Sequence, residues 1–318
     1  MDLISWLKML WEILQVKDSE YHIPVLLHAA TDALVNNPNG NYVDLTFGGG
    51  GHSRAILEKI DNGKLVAFDH DEDALVNSID DQRFHLIRQN FRNIQNVLEV
   101  NGLGLADGIL ADLGVSSFQF DQPERGFSFR FDARLDMRMN SSSELTAHNI
   151  VNQYSEEKLS DLLMRFGEFR NSEASKIVFK IIENRTLSPI DSTFDLVKTI
   201  DFLVPAKVKN QFLARVFQAL RIEVNQEMVA LIELLNQIPK CLKEGGVVAV
   251  ITYHSLEDRL VKNFFKSGNI DGVLDKDFFG VISRPFTLIN KKPIIPSLQE
   301  IKTNTRARSA KLRIAKLN

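Results

Sequence analysis

The stretch Leu45-Thr46-Phe47-Gly48-Gly49-Gly50-Gly51-His52-Ser53 decides the fold class of this chain. It follows an apolar, strand-like segment, residues 41–45, and precedes a helix-like one, residues 54–60. Ordering a glycine in regular structure costs ~0.5–1 kcal/mol relative to alanine, so a run of them at a strand-to-helix turn implies a need for bare backbone. The usual need is a ligand lying against that backbone, near the positive end of the next helix. The stretch therefore predicts a cofactor-binding α/β protein.

Outward from this turn, strand and helix patterns alternate from residue 22 to about residue 119. Strands are expected at 43–45, 64–68, 84–87 and 108–111. The alternation argues a parallel sheet with helices on both faces. It stops at Pro123, where residues 123–140 are polar, aromatic and irregular. Helical segments follow. Ser155 suits the cap of 156–166, with Gly167 just past its end, and Ser172 the cap of 173–184. Ser192 and Asp195 resemble a capping box before 196–202, and 207–223 is helical and broadly basic. Residues 225–242 read as a helix, 247–252 as a buried strand and 269–281 as a loop. The expected organisation is a helical extension over 1–20, a discontinuous cofactor domain over 21–122 and 223–318, and an inserted helical subdomain over 123–222.

Composition narrows the function class. The chain has 318 residues and a net charge of −3, so no overall basic excess points to nucleic acid. The segment 301–318 is the exception, carrying Lys302, Arg306, Arg308, Lys311, Arg313 and Lys316 without an acid. Such a local patch can hold phosphates, although a solvated charged tail has the same composition. Cys241 is the only cysteine, which excludes intrachain disulfides and fits a reducing cytoplasm, the expected location. The histidines lack metal-binding spacing, so no metal is expected. Residues 1–16 are apolar but too short for a membrane span and contain Asp2, Lys8 and Glu12; an amphipathic helix docked on the body or a partner is the first reading, a membrane-surface helix the second and an upstream start with little function the third.

Several residues fall where chemistry is expected. Asp69 closes the second strand, about twenty residues after the glycine turn, placed to accept both ribose hydroxyls. Asp71 suits a helix cap better. Asn90-Phe91 follows the third strand, where an aromatic ring can cover adenine or simply join the core. Asp112 ends the fourth strand at the edge that faces the reacting end of a cofactor. His254 opens a polar cluster, with Ser255, Glu257, Asp258 and Arg259, after the fifth strand. A glycine turn and a following acid serve both nicotinamide enzymes and S-adenosylmethionine (SAM) methyltransferases. The register FGGGGHSR lacks the last small residue of GxGxxG, which favours SAM.

Together these pieces resemble the family of ribosomal RNA small subunit methyltransferase H, also called MraW. The motifs are HIPVLL at 22–27, TFGGGGHS at 46–53, DGILADLGVSS at 107–117, ERGFSF at 124–129 and LDMRM at 135–139. FQALRIEVNQE at 217–227, HSLEDR at 254–259 and NTRARSAKLR at 304–313 complete them. The resemblance implies a Rossmann-like SAM-dependent methyltransferase sheet with an inserted all-helical subdomain that recognises substrate. It implies methylation of the exocyclic N4 amine of a cytidine in the decoding region of 16S rRNA, in the small ribosomal subunit. The cofactor contacts it implies are Gly50, Gly51, His52, Asp69, Phe91, Asp112 and Gln119. The family often has proline where this chain has Phe118, and the stretch before Tyr21 has no counterpart in these motifs.

A cytosine amine is a poor nucleophile, because its lone pair is delocalised into the ring. It needs alignment with the methyl group and a hydrogen-bond acceptor. Asp112, His254 and Asp136 are the candidates for that acceptor. Phe127, Phe129 and Phe131 are candidates to stack on a base that has left its helix. Lys207, Lys209, Arg215 and Arg221 in the insert, and Arg306, Arg308, Lys311 and Arg313 in the tail, are candidates for the RNA backbone. The oligomeric state is open, a homodimer included. Rival readings are a nicotinamide oxidoreductase, a non-catalytic RNA-binding or assembly factor, and a DNA cytosine methyltransferase.

Overall fold

The computed structural model describes residues 24–115, 122–274, 278 and 284–318. The expectations for 1–20, Phe118, Gln119 and part of 269–281 lie outside the described residues.

Five parallel strands form the frame: β1 (Asn41–Asp44), β2 (Lys64–Asp69), β3 (Phe84–Arg88), β4 (Ala106–Asp112) and β5 (Leu242–Thr252). The spatial order is β3-β2-β1-β4-β5-β7-β6, with β6 (Phe286–Leu288) and β7 (Lys311–Leu317) antiparallel at one side. This is a Rossmann-like sheet in which the order reverses between β1 and β4, the point where such sheets open a crevice for ligands. Successive residues feed opposite faces. Tyr42, Leu65, Leu110 and Ile251 pack under α1 (Leu27–Leu34) and α2 (Gly51–Leu57). Val43, Val66, Ile109 and Val250 pack under α3 (Ile94–Val100) and two helices named below.

The segment 311–317 corrects the expectation of a basic tail. It is β7, hydrogen-bonded on both sides, pairing Thr252↔Lys311 and Val247↔Lys316 with β5 and Phe286↔Leu317 with β6. The alternation of Leu312 and Ile314 with charged residues is a strand pattern that the charges obscured. Leu312 and Ile314 are buried.

Five helices that follow β4 enclose a core of their own. They are α4 (Ala147–Gln153), α5 (Glu156–Phe166), α6 (Asn171–Leu187), α7 (Thr193–Ile200) and α8 (Ala206–Asn225). Leu135, Ile150, Leu162, Ile177, Leu196 and Val216 meet there, in a cluster separate from the sheet's two. Ser155 caps α5, and Ser192 with Asp195 forms the capping box of α7, as read from sequence. The expected cap Ser172 is displaced: α6 starts at Asn171, because Glu173 reaches back to the Arg170 amide at 2.9 Å. After α8, Gln226 takes a left-handed φ of 51° and the chain turns into α9 (Glu227–Cys241), which leads back to β5. Then α10 (Ser255–Ser267) follows β5, and α11 (Leu298–Thr303) precedes β7.

Candidate cofactor and active site

Three carboxylates stand at the ends of three neighbouring strands: Asp44 on β1, Asp69 on β2 and Asp112 on β4. Asp44 accepts from Ser53 Oγ at 2.6 Å and from the Thr46 amide at 3.1 Å. Asp69 accepts from the amides of Gly48 and Asp71, each at 2.8 Å, one on each oxygen. Asp112 gives its own amide to Thr46 Oγ1 at 2.7 Å, and its Oδ1 accepts from the Tyr253 hydroxyl at 2.8 Å. Among the described residues, none of these bonds comes from lysine or arginine. Burial therefore dominates the titration of all three. It pushes Asp44 up to about 6 and Asp112 up to about 7, and it raises Asp69. Asp44 and Glu257 add repulsion at Asp112, against the Tyr253 bond that favours its charge.

The glycine turn closes over this edge. Gly48 and Gly50 have φ of 51° and 76°, in the left-handed region where a side chain is strained. Gly51 is glycine for a different reason: a Cβ there would lie 2.2 Å from Pro24 Cγ. Part of the bare backbone thus serves packing within the protein, a role the sequence did not advertise. His52, one residue into α2, is buried and faces Val25 O with Nε2 at 3.2 Å. That partner is an acceptor, so Nε2 carries the proton and Nδ1 the lone pair. Burial lowers His52 to about 4, so the ring is neutral at pH 7. Its Nδ1 lies 3.7 Å from Asp112 Oδ2. Two acceptors face each other across that gap, an arrangement that a positively charged donor would satisfy.

Beside this edge, a cleft of about 650 Å³ runs between the ends of β2 and β3 and the insert. His70, Asn90 and Arg92 line one side, and Asn140, Ser142 and Asn225 the other. Phe91 is half-buried in the 3-10 turn Phe91–Asn93 after β3, where Asn90 caps the turn through the Arg92 amide. A cavity of about 300 Å³ lies beyond β5, between Tyr253, Ile301, Arg308 and Lys311.

The other candidates separate into those the fold leaves accessible and those it uses. His254 caps α10, its Nδ1 accepting from the Glu257 amide at 3.4 Å, while Nε2 sits 3.1 Å from Glu257 Oε1 without hydrogen-bond alignment. It is therefore not turned toward Asp112 as an amine acceptor. Asp136 is bound by both Nε and Nη2 of Arg138, each at 2.7 Å, and held below the usual carboxylate range. Phe127 lies in the core of the insert, and Phe129 packs edge-on against Phe217 at 5.5 Å. Phe131 is half exposed. These placements correct the reading of Phe127 as a stacking ring.

The basic candidates divide in the same way. Arg221 is largely buried and meets both oxygens of Glu227. Arg313, 8% exposed, meets Asp258 at 2.6 Å, with Lys311 on the same carboxylate at 3.2 Å. Arg215 stacks on Phe169 at 3.9 Å and donates to the carbonyls of Gly167 and Glu168. Lys209 pairs with Asp201. Lys207 and Arg308 are exposed, and Arg306 is half-buried. The guanidinium groups of Arg221 and Arg313 are thus taken up by carboxylates of the chain itself and are less available to a polyanion.

Sequence reasoning passed over Asp44, Ser53 and Tyr253. An acid inside an apolar strand was the signal for Asp44. Tyr253 had only its place beside the His254 cluster.

A family model described as the MraW methylase family matches residues 19–318. A protein of Flavobacterium johnsoniae named ribosomal RNA small subunit methyltransferase H is 54% identical over 297 residues, 93% of this chain and 97% of that one. One of the same name from Bacteroides fragilis is 51% identical over 300 residues, 94% of this chain and 98% of its own. Among solved structures, an rRNA methylase from Streptococcus thermophilus, 12% identical, covers 94% of this chain and 98% of that chain with a TM-score of 0.40.

Proposed function

The chain belongs to the MraW methylase family, and from that premise we propose that it methylates the N4 amine of a cytidine in the decoding region of 16S rRNA, with SAM as donor. The observation that carries the cofactor is the acceptor edge: the partly buried Asp69 and Asp112 and the Nδ1 lone pair of the buried His52, without a lysine or arginine partner among the described residues. This set fits a ligand bearing an ammonium, a ribose diol and a sulfonium. It opposes the doubly charged pyrophosphate of a nicotinamide dinucleotide, because a desolvated carboxylate repels phosphate. When bound, SAM supplies an electrophilic methyl group and leaves S-adenosylhomocysteine.

The chain's own residues do the rest. Asp69 would hold the ribose through the lone pairs its two backbone donors leave unused. Phe91 would pack on adenine, Gly50 and Gly51 would form the wall beside the amino-acid end, and Asp112 with His52 would accept its ammonium. Gln119 keeps the cofactor role that the family motif implies. The insert over 123–222 would recognise RNA, with Lys207 and Arg308 as exposed phosphate contacts and Phe131 as an exposed ring. Alignment of the amine supplies the main acceleration, of the order of several kcal/mol. A methylated exocyclic ammonium is a strong acid, so its proton passes to water without a dedicated base. That agrees with the engagement of His254 and Asp136 elsewhere.

No helix among the described residues is long and apolar enough to cross a membrane. A cytoplasmic place beside the ribosome follows from the proposed substrate.

The test is to incubate the protein with radiolabelled SAM and undermethylated small ribosomal subunits, then digest the RNA to nucleosides. Label in N4-methylcytidine, lost with Asp112→Ala, is expected. Label in another nucleoside would overturn the substrate assignment, and no label on any RNA would overturn the activity.

A further inference from the structure

We infer that Tyr253 is a positioning residue of the cofactor site: its phenol fixes the Asp112 carboxylate so that Oδ2 is the oxygen presented to the ligand. The inference rests on the proposed SAM site and names a residue that the family motifs, HSLEDR beginning one position later, do not include.

The geometry carries it. Asp112 is held at its amide by Thr46 Oγ1 and at Oδ1 by the Tyr253 hydroxyl, which leaves Oδ2 facing His52. Tyr253 is itself braced. Its amide donates to Glu257 Oε2 at 2.8 Å, so the end of β5 and the first turn of α10 set where the ring starts. Across the strands, Gly114 leaves the ring its room: at φ 101° this turn suits glycine, and a Cβ would come within 3.2 Å of Tyr253 Cδ2. One hydroxyl thus joins the end of β5 to the end of β4, and a phenylalanine would keep the ring and lose only that link.

The phenol has two effects on Asp112. It selects one rotamer, and it favours the ionised carboxylate over the acid. Burial works against that charge, as do Asp44 and Glu257. Removing the donor therefore raises the pH below which Asp112 takes up a proton and stops attracting a cation.

The experiment measures S-adenosylhomocysteine binding by calorimetry across the pH range in which Asp112 titrates. The proteins are the unaltered full chain, Tyr253→Phe, Asp112→Asn and the double variant. In the unaltered protein, affinity falls as pH falls through the Asp112 titration. Tyr253→Phe is expected to move that midpoint to higher pH and to weaken binding about tenfold at neutral pH, the scale of one hydrogen bond to a charged group. In the Asp112→Asn background the same change is expected to add nothing, because Tyr253 acts through the carboxylate. An unmoved midpoint, or an equal loss in both backgrounds, overturns the inference alone. A large drop in melting temperature with an unmoved midpoint makes Tyr253 a packing residue and also overturns it. Failure of the unaltered protein to bind at any pH would sink the proposed function and the inference together.

Discussion

Arg221 meets Glu227 with Nε on Oε1 at 2.8 Å and Nη2 on Oε2 at 2.9 Å, clasping the end of α8 to the first turn of α9. Burial works against the charge of Arg221, and Glu227 more than offsets this. Glu257 and His254 stand beside the pair, with side-chain oxygen and nitrogen atoms of Glu227, His254 and Glu257 within 4.8 Å of one another. The clasp joins α8 to α9, and α9 packs on the sheet through Leu231, Leu234 and Ile238. Arg221→Ala would leave Glu227 unpaired next to Glu257, so it is expected to cost about 3–5 kcal/mol, read as a lowered urea midpoint. The salt dependence of RNA binding by the folded fraction should stay as it was. A normal midpoint with a shallower salt slope would show that Arg221 contacts phosphate after all.

The exposed basic residues should behave in the opposite way. Lys207, at the start of α8, and Arg308, before β7, are on the surface. Replacing both with alanine is expected to leave the melting temperature unchanged. It should reduce the slope of log affinity against log salt by about 1 for each phosphate that is no longer neutralised. An unchanged slope would remove both from the RNA interface.

The contrast between these two sets shows what was legible in the sequence. The glycine turn, the strand-end acids Asp69 and Asp112, the Ser155 cap and the Ser192–Asp195 capping box rest on local spacing, and the structure realises their expected positions. Charge was the misleading signal. Arg313 and Lys311 look like a polyanion surface until their partner arrives from elsewhere in the chain, and Arg221 looks like one until the turn after α8 brings Glu227 onto it. Asp258 lies 55 residues from Arg313 in sequence. Tyr253 was missed for the same reason, since its partner Asp112 is 141 residues away. Burial and long-range pairing decide the role of a charged or phenolic side chain, and neither is a property of its immediate neighbours.

Gly51 offers a test that separates packing from ligand binding in the glycine run. A methyl group there would overlap Pro24 Cγ at 2.2 Å, so Pro24 and the start of α1 would have to move. Gly51→Ala is expected to destabilise the protein by about 1–3 kcal/mol, the usual cost of overpacking. The loss should appear in thermal melts without any cofactor present. Full stability with lost cofactor binding would show instead that the ligand needs the bare backbone.

Asp112 gives the protein a pH dependence whose sign can be worked out. Its carboxyl titrates near 3.8 when unfolded and at about 7 in the fold, where burial opposes the charge. Between these values the folded state holds a proton that the unfolded state has released. Without cofactor, this group therefore contributes stability that is present below the unfolded value and lost as pH rises toward 7. Asp44, raised to about 6, acts with the same sign, and His52, lowered to about 4, with the opposite sign. Asp112→Asn removes the carboxylate and relieves its repulsion with Asp44, while the His52 contribution remains in both proteins. The melting temperature of Asp112→Asn should thus rise relative to the unaltered protein as pH increases, with little difference in acid and several degrees above neutrality. S-adenosylhomocysteine should raise the melting temperature of the unaltered protein most at high pH, where Asp112 is charged, and that of the variant far less. A difference between the two proteins that is the same at every pH would mean that the Asp112 carboxylate is solvated, and with it the acceptor edge would lose its attraction for a cationic cofactor.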